Sequence, residues 1–238
     1  MGRITYSSIL ITGTDTGIGK TTVSCIMAAS LRQRGLRVGV FKPAETGCAN
    51  GVATAADVRN LKYFADCSFS IEALCSYALR EPLAPMMAAR IEGVRIDLDR
   101  IAQCHQQIVA AHDITLIEGA GGLLVPLGEG TTFVDLAQRL DAAVLVVVGN
   151  RLGAINHALL TIRYARTVGL NVIGYVINQI QSEMDLAAST NVALLEELLG
   201  PPLGLIPFVS ELDRSESVRH QLAAIGEANL RLDALLIR

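Results

Sequence analysis

The sequence predicts an α/β fold: a single domain built on one parallel β-sheet, with helices flanking both faces. Three observations point to it. Strand-like and helix-like segments alternate from one end of the chain to the other. The apolar half of the composition is aliphatic, with five Phe, five Tyr and no Trp, which suits strands buried on both faces. Every polar cluster that could carry chemistry falls at the carboxyl end of a predicted strand, where ligands gather in sheets of this kind. With 238 residues the chain can bury a sizeable core without staples.

The elements follow in order. Residues 8–12 form the first strand, and 20–34 a helix closed by Gly35. Residues 37–42 are the second strand, stopped by Pro43. Residues 44–56 are a loop rich in Gly, Ala, Thr and Asn, of a length that is usually functional or disordered in compact domains. Residues 57–65 can form a helix, with Asp57 near its N-cap. The following region is irregular through Glu81-Pro82-Leu83-Ala84-Pro85, and 86–91 is helical, with Met86 and Met87 read as core filler. Residues 97–111 are a helix carrying Leu98, Ile101, His105 and Ile108 at apolar spacing. The strand 114–117 runs into Glu118-Gly119-Ala120-Gly121-Gly122. Then come a helix at 133–140, the most hydrophobic strand at 143–148 and a helix at 153–168. A strand at 171–177, a helix at 185–199 and a short last strand at 203–206 precede a C-terminal helix.

Composition excludes several classes. A net charge of −3 with no basic stripe gives nucleic-acid binding no electrostatic support. Five cysteines, an odd count with no C-x-x-C pair, read as reduced thiols that mostly fill the core. Four scattered histidines offer no zinc spacing. The first strand begins too early to leave room for a secretory leader, and no apolar run could span a bilayer. The expectation is a cytoplasmic protein with no membrane partner.

The most specific segment is Gly13-Thr14-Asp15-Thr16-Gly17-Ile18-Gly19-Lys20-Thr21-Thr22, directly after the apolar run Ile9-Leu10-Ile11. A buried strand that breaks into a glycine-rich turn and opens a helix is the layout of a phosphate-binding loop. Lys20 would reach the terminal phosphates of a nucleotide, and the Thr21 hydroxyl would ligate Mg²⁺. Five residues rather than the usual four separate Gly13 from Gly19. Lys42 closes the second strand and would put its ammonium at the rim where phosphates bind; the bland alternative is a surface lysine. Glu118 ends another apolar strand, where proteins of this type keep the acidic group that faces Mg²⁺; a solvated loop carboxylate is the alternative. Spacing alone makes Asp57 a helix N-cap rather than a metal ligand. Asn178 and Pro207 end the last two strands, where a base could lie. Gly153-Ala154-Ile155-Asn156 opens a helix whose free N–H groups could bind a carboxylate, although capping and packing would also explain it.

Together these segments resemble the dethiobiotin synthetase family, ATP-dependent carboxylases that close the ureido ring of a biotin precursor. The resemblance rests on 13–21, on Lys-Pro-Ala-Glu-Thr-Gly at 42–47, on Glu-Pro-Leu-Ala-Pro at 81–85 and on 118–127. It continues through 152–157, Val-Ile-Asn at 176–178 and Gly-Leu-Ile-Pro at 204–207, and covers nearly the whole chain. The lengthened phosphate loop is itself the family's form. The resemblance implies a ligase that takes 7,8-diaminononanoate, CO₂ and MgATP and forms dethiobiotin, through a carbamate and a carbamic-phosphoric anhydride. It implies nucleotide contacts from Asp15, Thr16, Gly17, Ile18, Gly19, Lys20, Thr21, Thr22, Asp57, Glu118, Gly119, Ala120, Gly121, Asn178, Gln179, Pro207, Phe208 and Val209. Thr21, Asp57 and Glu118 would surround Mg²⁺. Thr16, Lys42 and Thr46 would hold the carbamate, with Lys20, Lys42 and Thr16 acting in catalysis. Gly153, Ala154, Ile155 and Asn156 would grip the substrate's carboxyl tail across a homodimer. Two departures stand out: Met86-Met87 where many members have histidine after the proline, and Arg151 where lysine is common.

A different class shares the loop: partition and division-site ATPases, which switch as dimers on DNA or membranes. Their signature lysine lies five positions before the loop lysine, where this chain has Asp15, and residues 222–238 lack a strongly basic amphipathic face. Amide-forming ATPases of cobalamin synthesis are a second relative, but usually carry an added glutamine-hydrolysing domain.

Overall fold

A computed structural model describes residues 3–237; Arg238, the end of the C-terminal segment read above, lies outside them. The chain runs through β1 (Arg3–Ile4), β2 (Ser8–Gly13), α1 (Lys20–Gln33), β3 (Val38–Thr46), α2 (Ala56–Ala65), the single turn α3 (Ile71–Leu74) and β4 (Cys75–Leu79). Then come α4 (Pro85–Ile91), α5 (Leu98–Ala111), β5 (Ile114–Gly122), the hairpin of β6 (Pro126–Gly128) and β7 (Thr131–Thr132), and α6 (Phe133–Arg139). β8 (Ala143–Asn150), α7 (Ala154–Thr167), β9 (Val172–Gln179), α8 (Leu186–Leu199), β10 (Gly204–Ile206), α9 (Glu216–Asn229) and β11 (Leu236–Ile237) complete it. Seven strands form the main sheet in the order β10-β9-β8-β2-β5-β3-β4, and all are parallel.

Every residue of β2 and β8 is buried, which requires helices on both faces and explains their uninterrupted Ile, Leu and Val. The core is correspondingly aliphatic. Four of the five cysteines are buried within it, and all five are free thiols.

The helix starts fall into two groups. In one, side chains cap them: Ser70 on α3, Asp97 on α5, Asp185 on α8, Ser215 on α9, and a Thr132–Asp135 capping box on α6. In the other the N-cap residues are Gly19 for α1, Ala55 for α2, Ala84 for α4 and Gly153 for α7, none with a side-chain cap of its own.

Several expectations are corrected. Pro43 does not stop the second strand, which runs on to Thr46 against β4. Pro43 lies beyond the last partner in β5, the pair Phe41 with Ile117, so its missing N–H costs no ladder bond on that side. The supposedly irregular region contains the edge strand β4, a five-residue segment whose order comes from pairing with β3. Asp57 is not the N-cap of α2 but lies in its first turn. Met87 is exposed and Met86 only half-buried, so neither fills the core.

Candidate nucleotide and substrate site

The carboxyl ends of β2, β3 and β5 open on a cleft of about 820 Å³, lined by Thr16, Gly17, Gly19, Lys20, Thr21, Lys42, Glu45, Thr46, Asp57 and Glu118. Residues 82–85, Ala120, Gly121 and Val125 complete its wall. Nearly every residue expected to hold phosphate, cation or carbamate therefore meets in one place. Met86 does not: it lines a neighbouring groove between α4 and the β6–β7 hairpin, whose Arg90 pairs with Glu129.

The phosphate loop leaves β2 with Thr14 N–H donating to Val147 O at 3.0 Å. Gly17 and Gly19 take φ of 71° and 85°, left-handed values that favour glycine. Gly19 has a second reason: a Cβ there would lie 2.1 Å from Asn178 Nδ2. That amide, at the end of β9, donates to Ile18 O at 2.9 Å and so ties the loop to the far strands. Asn178 Oδ1 is buried with no partner, a free acceptor beside the loop. Asn178 pairs in register with Ile206 of β10, so Pro207, Phe208 and Val209 emerge next to it. Gln179, one residue on, turns its amide to Met184 Sδ at 3.4 Å. Thr22 is half-buried in the first turn of α1.

Charge is concentrated at the opening of α1. Lys20 is buried and its Nζ donates to Asp15 O at 3.1 Å. Burial lowers its pKa, with Glu118 opposing and Lys42 adding to the shift. Lys42, expected at the rim, is instead 3% exposed. Its Nζ lies 2.6 Å from Glu118 Oε1, 2.8 Å from Asp57 Oδ2 and 3.3 Å from Gly119 O. Burial alone would lower the Lys42 pKa, but Glu118 and Asp57 outweigh it and hold it above the usual lysine value. For Asp57 burial works upward and is outweighed by Lys42, leaving the carboxyl below its ordinary range. The Thr21 hydroxyl donates to Glu118 Oε1 at 2.9 Å, while Glu118 Oε2 is buried without a partner.

Glu118 does not end its strand as expected: Gly119, Ala120 and Gly121 follow it along β5, and Gly121 turns at φ 65° where a Cβ would press on Val125. Thr16 is exposed at the loop tip and Thr46 half-buried at the end of β3. Asp15 caps the loop, its Oδ1 accepting Thr16 N–H at 2.8 Å while Oδ2 pairs with Arg151. The elbow Gly153–Asn156 stands apart from the cleft's lining, beyond β8. Ala154 N–H is already spent on Arg151 O at 3.1 Å, which corrects the expectation of a wholly free run. Sequence reading passed over Glu45; only its place three residues after Lys42 hinted at it.

A strand ending in a glycine turn, a buried lysine opening the next helix and an acidic residue on the adjacent strand define a phosphate-loop nucleotide-binding protein. The family model that matches residues 7–216 is described as an AAA domain. Solved structures with this fold include the MinC:MinD complex of Aquifex aeolicus, with a TM-score of 0.53 at 14% identity, covering 92% of this chain and 86% of that one. A ParA family ATPase from Chlorobium tepidum has a TM-score of 0.52 at 13% identity, covering 94% and 92%. At those identities the likeness concerns the fold alone. Sequence relatives decide the family. An ATP-dependent dethiobiotin synthetase of Nitrosospira multiformis is 42% identical over 91% of this chain and 95% of its own length. Enzymes of the same name from Bacillus velezensis and Thermodesulfovibrio yellowstonii are each 37% identical, over 90% and 95% of this chain and 92% and 97% of their own. The chain belongs to the ATP-dependent dethiobiotin synthetase family.

Proposed function

We propose that the protein is a ligase of biotin biosynthesis that uses ATP to join CO₂ to 7,8-diaminononanoate and close the ureido ring of dethiobiotin. The observation that carries this reading, beyond family membership, is Lys42 buried between Glu118 and Asp57 beside Lys20 on one cleft. Lys20 and Lys42 stand there against Asp57, Glu118 and Glu45, so the cluster carries no excess positive charge. A triphosphate and a carbamate would bring in anions that this cluster can receive only with a further cation.

The donor set fits Mg²⁺. Thr21, Asp57 and Glu118 offer hard oxygen ligands, and Glu118 Oε2 is a buried acceptor without a partner. Among the described residues no group of three or more His, Cys, Asp or Glu forms a metal cage. That agrees with an ion that keeps water and phosphate ligands. Bound there, Mg²⁺ would supply charge neutralisation to the β- and γ-phosphates. The chain's own groups do the rest. Lys20 meets the β- and γ-phosphates, with backbone N–H groups of the loop around them, and the free Asn178 Oδ1 can accept from a base amino group.

One amine of the substrate adds to CO₂ and loses a proton, giving a carbamate held by Thr16, Lys42 and Thr46. A carbamate oxygen takes the γ-phosphoryl group as ADP leaves. The second amine then attacks the carbamoyl carbon and gives up a proton as the ring closes and phosphate leaves. Phosphoryl transfer of this type is mostly positioning and charge stabilisation, which suits a rigid buried lysine.

A homodimer is part of the reading. Leu152, Leu160, Tyr164, Leu186, Leu194 and Leu198 are exposed on and beside α7 and α8, an apolar surface that a second copy would cover. The elbow Gly153–Asn156 would then grip the partner site's substrate tail. No described helix is long and apolar enough to cross a membrane, and we place the reaction in the cytoplasm. Incubation of purified protein with the diamine, bicarbonate and MgATP should release ADP and dethiobiotin together. ADP without ring product would overturn the assignment.

A further inference from the structure

The helices without a side-chain cap are not alike. α1 and α7 begin at left-handed glycines, whereas α2 begins after Ala55, which has no side-chain acceptor. Helix starts need acceptors for their first N–H groups. For α2 they come from another element: Glu45 Oε1 accepts the Asp57 N–H at 2.9 Å, and Oε2 accepts the Val58 N–H at 3.0 Å.

Glu45 is well placed to hold that helix still. It is 5% exposed, both carboxylate oxygens are engaged, and its backbone sits in β3 opposite Ala78 of β4. β3 also carries Lys42, so one strand supplies both the lysine that meets Asp57 Oδ2 and the carboxylate that grips the Asp57 amide. Asp57 is thus fixed at its side chain and its backbone by residues three apart on one strand. A capping side chain at position 55 would secure α2 but would not register it against Lys42.

We propose that Glu45 is a positioning residue: it replaces the missing N-cap of α2 and so sets where the Asp57 carboxylate stands relative to Lys42 and Glu118. The inference rests on the reading of Asp57 as a Mg²⁺ ligand. Removing an outer partner of a metal ligand weakens metal binding by roughly 10- to 100-fold.

The test compares Glu45→Ala and Glu45→Gln with the wild-type full-length protein. Glu45→Ala should raise the Mg²⁺ concentration for half-maximal activity by roughly 10-fold or more, with a smaller change in kcat at saturating Mg²⁺. Hydrogen exchange, measured without nucleotide or metal, should show faster exchange of the Asp57 and Val58 amides. Glu45→Gln, which keeps one acceptor, should lie between on both readouts and serves if the alanine variant folds poorly. Lost amide protection with unchanged Mg²⁺ activation would reduce Glu45 to a structural cap and overturn the proposal. So would a changed KM for the diamine with protection intact, which would mean direct substrate contact. Asp57→Asn is the control: if it leaves Mg²⁺ activation unaltered, the metal reading of Asp57 fails, and with it the positioning role.

Discussion

Lys42 follows Phe41 along β3, and His105 packs against the same Phe41 ring, with centroids 6.1 Å apart. Both are bases buried to within a few per cent of complete burial, yet the structure treats them in opposite ways. Lys42 has two carboxylates within 2.8 Å, and its charge is held more firmly than in water. Among the described residues His105 has only the Ser8 hydroxyl as a hydrogen-bond partner, at 2.8 Å from Nε2, and burial pushes its pKa down to about 4. Burying a cation is costly unless counter-charges accompany it. The protein therefore supplies counter-charge to the lysine on the cleft and none to the imidazole in the core. Burial does not distinguish a functional base from a core residue; the partners do.

The sharpest break of this comparison is Lys42→Ala. Losing a preorganised donor to the transferring phosphoryl group should lower kcat by ~10²-fold or more. Circular dichroism should confirm that the variant is folded, because the substitution also takes the lysine partner from Glu118 and Asp57. A near-normal kcat in a folded variant would make the lysine a structural ion-pair partner.

His105 predicts a pH effect on stability and none on chemistry. Unfolded, the imidazole titrates near its ordinary 6.5; folded, near 4. Between these values the unfolded chain holds more protons. This contribution to stability is complete above pH 6.5 and declines as pH falls towards 4, by about 1–3 kcal/mol. His105→Gln should flatten that slope in denaturant melts at pH 7 and pH 5 while kcat at pH 7.5 stays near wild type. Parallel slopes for the two proteins would mean that His105 is not the group responsible.

A smaller effect asks whether the charged rim is complete within one chain. Lys42→Ala mixed with a variant bearing bulk at Gly153 should regain up to about a quarter of wild-type activity. A random heterodimer forms half the time and restores one of its two sites. No recovery after verified subunit exchange would mean that each chain closes its own site.

Much of this was legible in residue order. The strand–helix alternation, the phosphate loop, and Glu118 at the end of an apolar run are local signals, each confined to a window that periodicity or turn chemistry can read. What escaped depends on partners distant in sequence. β3 continues past Pro43 because β5 has let go of it there and β4 has taken hold. β4 is too short and too weakly patterned to be read as a strand until β3 pairs with it. Lys42 reads as a rim lysine until Glu118 and Asp57 close around it. Glu45 carries no local capping signal, since the helix it caps begins after Ala55 and the usual cue, a Ser, Thr, Asp or Asn at that position, is missing.

The sequence by itself determined the parallel sheet, through aliphatic runs that can be satisfied only by burial on both faces. It determined the nucleotide loop, through glycines whose backbone angles other residues disfavour. The family follows from the ordered set of its motifs, which local chemistry alone would not have assembled. Tertiary structure decided which ionisable groups keep their charge, where Asp57 stands, and which strand edge Pro43 faces. Those outcomes depend on distances between residues far apart in the chain. Coulomb interaction and desolvation act through space, so they become defined only when the sheet order β5-β3-β4 brings the groups together.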